Sequence, residues 1–237
     1  MILGALNAGA GSQTISVTGG NGYGLRFAGV PTFSPETTTT LDVGAGTSLE
    51  LAGIIPSTNA ALIKNGGGML LLSGANVQTG TVALNGGTLR ATNAGSLGLG
   101  LAPNALTLNA GTLMVGSSTV SVTTTNVAGV SSGAGLSFVG LTALSGSPVF
   151  DVGQNAFLQL SQISGLGYGF NKVGAGILNV SGASSTSGPI TVEAGTLRVG
   201  NVIGLGTSET TVNSGATLEI NNVAVTSGSL VLASGAT

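Results

Sequence analysis

The segment from Lys64 to Arg90 reads KNGGGMLLLSGANVQTGTVALNGGTLR, and the segment from Lys172 to Arg198 reads KVGAGILNVSGASSTSGPITVEAGTLR. The second begins 108 residues after the first and aligns with it without a gap. Carried on to Gly98 and Gly206, 15 of 35 aligned positions are identical, among them Gly66/Gly174, Gly68/Gly176 and Leu70/Leu178. Upstream, LDVGAGTSLEL (Leu41–Leu51) matches FDVGQNAFLQL (Phe150–Leu160), and GYGLRFAG (Gly22–Gly29) matches GAGLSFVG (Gly133–Gly140). Such duplication points to a repeat architecture, in which each unit packs mainly on its neighbours. The expected arrangement is one continuous domain over 1–237, with two units at about 22–132 and 133–237 after an N-terminal partial coil.

A shorter period runs inside each unit. Leucines in Gly-x-Leu-x-(Leu/Val/Ile) type segments recur at Leu25, Leu49, Leu70, Leu89 and Leu113, then at Leu136, Leu158, Leu178, Leu197 and Leu218, in steps of 19–24 residues. The segments around them alternate apolar and polar residues, as in LRF, LEL, LNV and LEI, which is the period of a strand. Turn chemistry precedes many of them, as in NGG, NAG, EAG and NSG, where Gly and Asn supply positive φ. Each step therefore reads as one coil of short strands joined by tight corners. The fold class expected is all-β, a right-handed parallel β-helix of about ten to eleven coils.

Composition narrows function by exclusion. Charged residues are 5% of the chain and the net charge is -2. Five basic residues cannot build a nucleic-acid footprint. Without Cys there is no disulfide framework or thiolate metal site, and without His the commonest general base is missing. Gly, Ser, Thr, Asn and Pro interrupt the long uncharged stretch between Arg90 and Asp151, so no membrane helix is expected there. Six Phe and two Tyr do not supply the aromatic girdles of a membrane barrel. The opening MILGALNAGAG lacks the basic region and long apolar core of a secretory signal, so a signal or anchor is expected outside this sequence.

The segments GGGMLLLSGANVQTGTVALNGGTL and GAGILNVSGASSTSGPITVEAGTL resemble the autotransporter-associated β-strand repeat, also called the passenger-associated transport repeat. The family usually has an aromatic in the run after Leu-Ser-Gly. Asn76–Gly80 and Ser184–Gly188 hold that place here without one. The resemblance implies a bacterial secreted or cell-surface passenger exported by type V secretion. It says little about activity.

Candidate chemistry is sparse. Asp42 and Asp151 open equivalent DVG segments and are expected about five coils apart, roughly 24 Å at the ~4.8 Å strand spacing. Paired glycosidase carboxylates lie within ~9.5 Å, so these two form no catalytic pair. The charges are instead expected as exposed pairs on adjacent coils: Arg198 with Glu219, Asp151 with Lys172, and Asp42 with Lys64, each 21 or 22 residues apart. GGNGYG (Gly19–Gly24) has Gly24 where a calcium-roll repeat has Asp. No metal and no cofactor are expected. The Thr runs at Thr37–Thr40 and Thr123–Thr125 are consecutive and do not recur once per coil, which argues against an ice-binding face. The function expected is a non-catalytic extracellular stalk, adhesin passenger or filament unit. Its expected partners are a second copy stacked end to end, or cell-surface glycans and proteins, with no nucleic acid and no membrane insertion. The alternative is a carbohydrate-active β-helix enzyme or a glycan-binding module.

Overall fold

A computed structural model describes residues 1–56, 58–98, 105–116, 134–226 and 228–237. Each coil has three sides. The first coil shows this most plainly, with one strand per side: β1 (Ile2–Leu3), β2 (Asn7–Ala8) and β3 (Gln13–Val17). The second repeats it with β4 (Tyr23–Phe27), β5 (Thr32–Phe33) and β6 (Thr38–Val43), each parallel to its counterpart below. The chain then continues through β7 (Thr47–Leu51), β8 (Ala61–Asn65), β9 (Met69–Leu72), β10 (Val82–Leu84), β11 (Thr88–Ala91), β12 (Leu106–Leu108) and β13 (Thr112–Val115). After residues 117–133 come β14 (Ala134–Leu144), β15 (Val149–Val152), β16 (Ala156–Ser164), β17 (Phe170–Val173), β18 (Ile177–Val180), β19 (Ile190–Val192), β20 (Thr196–Val199), β21 (Thr210–Val212), β22 (Thr217–Ile220) and β23 (Leu230–Leu232).

Eleven of these strands stack on the first side, in the order β1-β4-β7-β9-β11-β13-β15-β17-β19-β21-β23. Ten more form a second long sheet, and all pairings are parallel, so the molecule is a parallel β-solenoid of the right-handed type. Alternation sets the core. In β9, β11 and β13 the second and fourth residues are buried and the first and third are partly exposed. Leu49, Leu70, Leu89 and Leu113 therefore form one inward column, each 0% exposed. Phe150 and Phe170 meet edge to face in the core, ring centres 5.2 Å apart, a favoured aromatic geometry.

The corners explain the glycine pattern. Gly66 and Gly174 sit at φ 77° and 74°. A Cβ on either would also run into a carbonyl oxygen of the coil below, that of Val43 or Val152. Left-handed backbone and close approach together leave glycine as the residue that fits.

The two units do not stack in phase. Along the first side, paired positions are 19 to 24 residues apart in most coils, but Met114 pairs with Asp151, 37 residues on. The expected step from Leu113 to Leu136 is not a coil. Leu113 pairs with Phe150 and Leu136 with Leu158. The long strand β14 shows why. Its end, Thr142–Leu144, lies over β12 on the third side, whereas Leu136 and Phe138 belong to the second side, with a register irregularity between Phe138 and Leu141. The ten-stranded sheet thus changes side at β14 and β16, and β18, β20 and β22 continue it on the second side. Leu113 to Leu136 advances the chain by one side, and the second unit is turned by one third of a coil. Asp42 and Asp151 are accordingly four coils and one side apart, not five coils. The boundary expected at 132/133, and the Thr123–Thr125 run, lie outside the described residues.

Candidate functional site: buried lysines and an outer charge column

Lys64 and Lys172 are 1% and 0% exposed. Parity explains this: Lys64 shares the inward face of β8 with Leu62, and Lys172 that of β17 with Phe170. Lys64 interrupts an inward column between Leu41 and Leu84, and Lys172 one between Phe150 and Val192. The pairs expected between Asp42 and Lys64 and between Asp151 and Lys172 do not form. Asp42 is in register with Asn65, and Asp151 with Val173, one residue beyond the lysine. That offset places acid and base on opposite faces of the sheet.

Each ammonium finds carbonyls instead. Lys64 Nζ donates to the oxygens of Asn65 at 2.7 Å, Gly66 at 2.8 Å and Gly86 at 3.2 Å. Lys172 Nζ donates to those of Val173 at 2.8 Å, Gly174 at 2.7 Å and Ala194 at 3.0 Å. Two acceptors belong to the lysine's own corner and the third to the corner of the next coil. The positive-φ glycine turns these carbonyls inward, and the lysine ties two coils together. Burial pushes Lys64 from its ordinary 10.5 down to about 8, with nearby Asp42 opposing, and Lys172 down to about 8, with Asp151 opposing. At neutral pH both remain ammonium ions, with three N–H donors for three acceptors.

The outward charges behave differently. Arg198 and Glu219 face each other in register, with Nε 2.9 Å from Oε2. The Arg198 Nε–H is not aligned for a hydrogen bond, so the contact is ionic. A second pair, Arg26 with Glu50 at 3.0 Å, lies on the first side, and Glu50 also accepts from Ser73 Oγ. The sequence carries the same signal for it, LRF one coil before LEL, although neither residue lies in the matched 64–90 and 172–198 segments. Asn179, which opens Asn179-Val180-Ser181, a sequence of the N-glycosylation type, is an outward residue within β18.

Asparagines stitch the outer corner of the first unit: Asn85 Nδ2 donates to Asn65 Oδ1 at 2.8 Å, and Asn109 Nδ2 donates to Asn85 Oδ1. On the second side, the buried Asn76 accepts from Ile55 N–H and donates to the Ser96 carbonyl, joining three coils. Among the described residues no group of three or more His, Cys, Asp or Glu is placed to hold a metal ion. A recess of about 210 Å³ lies on the outer first side, lined by Ile2, Arg26, Ser48, Glu50, Met69 and Leu71 among others. It is smaller than the ~300–1,000 Å³ of a small-molecule site.

A three-sided parallel solenoid with stapled corners is a repeat scaffold. Two stretches, residues 62–91 and 170–199, match the family model Passenger-associated-transport-repeat. The chain carries two copies of that repeat, and each contains one of the buried lysines. No curated protein and no solved structure matches the chain. The first copy runs from the third side to the first, and the second copy from the first side to the second. The two matched stretches and the solenoid fold support a passenger-type segment.

Proposed function

We propose that this segment is a non-catalytic adhesive stalk within a passenger, holding outer faces at fixed positions along a rod. The observation that supports this most is where the charges go. Both repeat lysines are used to fix coil to coil, and four outward charges neutralise one another in pairs. Such use of polar groups serves rigidity. Its partners are cell-surface proteins or glycans, or a second copy stacked end to end. The test is display of the segment on a bacterial surface that otherwise does not adhere. Adhesion to host cells or self-aggregation supports the reading. Turnover of uronate polysaccharides by the purified segment, lost on Asp151→Asn, refutes it in favour of a β-helix enzyme.

A further inference from the structure

Among the described residues, Arg90 is the one basic side chain with no hydrogen-bond or ion-pair partner. Its position in the repeat is that of Arg198, which has Glu219 directly above it. Above Arg90 the register places Met114, and below it Leu71. The nearest carboxylates of this column, Glu50 and Asp151, are each two coils away, about 9.6 Å at the strand spacing and beyond ion-pair range. Arg90 is an outward residue of β11, half-buried, and its covered Nε has no hydrogen-bond partner. Thr88 and Thr112 pair one coil apart on the same outer face, with Met69 below them.

We propose that this face of the first unit binds a segment of a partner protein in which a carboxylate is flanked by apolar side chains, with Arg90 taking the carboxylate in place of the glutamate that the second unit supplies to Arg198. Charge complementarity selects an anion, since the guanidinium is unpaired and offers a bidentate donor fork. Leu71, Met69 and Met114 select apolar neighbours, methionine being well suited to adaptable protein contacts. One cation is too few for an anionic membrane, which is recognised by clusters of ~4–8 basic residues. Directly above and below Arg90 stand Met114 and Leu71, not the polar groups that would favour a sugar polymer. The inference rests on the reading of the segment as an exposed presenting surface, but its test does not depend on adhesion by cells.

The test titrates the purified, isotope-labelled chain with the capped tripeptide Val-Glu-Val, with its Val-Gln-Val counterpart, and separately with polygalacturonate. Resonances of the Arg90 side chain and the Met114 methyl report the site. The expected result is saturable shifts with the Glu peptide and affinity at least about tenfold weaker for the Gln peptide, the scale of a charge-assisted hydrogen bond. Arg90→Gln removes the binding, Met114→Glu closes the site by rebuilding the Arg198–Glu219 arrangement, and Arg198→Gln leaves binding unchanged. Equal binding of both peptides, binding that survives Arg90→Gln and Met114→Glu, no shift at millimolar peptide, or Arg90-dependent binding of polygalacturonate alone each overturns the proposal. Failure of surface-displayed cells to adhere, with the peptide result intact, would instead count against the adhesive reading.

Discussion

Lys172→Met separates a staple from a merely tolerated charge. Met keeps most of the stem and removes the ammonium. Three carbonyl oxygens, now held at 2.7 to 3.0 Å, lose their donor in a place where the residue they served is 0% exposed. Each buried acceptor left without a partner costs ~1–3 kcal/mol. Against this stands relief from burying a charge, roughly 3 kcal/mol for a lysine lowered from 10.5 to about 8. The expected net loss at neutral pH is ~3 kcal/mol, the middle of a ~0–6 kcal/mol span, and Lys172→Ala adds a cavity worth a further ~2 kcal/mol. Solenoid stability is a sum of coil terms and interfaces between neighbours, so the loss should be local. Native-state hydrogen exchange reads it: protection should fall at Glu193, whose N–H bonds the Lys172 carbonyl, and at Thr196, bonded to Gly176, before it falls in the first unit. A Lys172→Met chain as stable as the parent, with unchanged protection at those amides, would refute the staple.

Stability should also rise with pH in the alkaline range. From about pH 8 to 10.5 the unfolded chain binds more protons at Lys64 and Lys172 than the folded one, so each lysine adds roughly 3 kcal/mol as pH climbs through that window. Urea unfolding at both pH limits measures the rise, which the Lys64→Met/Lys172→Met double variant should lose. Gly174→Ala meets both a left-handed φ of 74° and the Val152 carbonyl, whereas Gly215→Ala meets only a φ of 78° in open space. The second should cost ~1–2 kcal/mol and the first clearly more, as thermal melts of the two variants will show. Removing the Arg198–Glu219 pair by Glu219→Gln should change stability by less than ~1 kcal/mol, and salt should shrink even that difference.

Strand, corner and coil were legible because they are local. Alternation around Leu70, Leu89 and Leu178 gave inward and outward faces, and Gly66 and Gly174 marked corners where only positive φ and a missing Cβ fit. The same parity rule would have placed Lys64 beside Leu62 on the inward face, but a charge there runs against composition-based expectation until the acceptors are seen. Those acceptors come from backbone of two coils, and no side-chain pattern encodes them.

By itself, the sequence determined a duplicated all-β coil and a chain too poor in charge, Cys and His for most site chemistry. The tertiary structure decided how the copies are phased and which charges meet. The long coil between Met114 and Asp151 turns the second unit by one side, so residues equivalent in sequence face different directions. A one-residue register offset separates Asp42 from Lys64, while exact register joins Arg198 to Glu219 and leaves Arg90 under Met114. Periodicity specifies what each coil looks like; only the stacking of coils fixes which residue lies above which, and a shift of one residue reverses the face on which a side chain emerges.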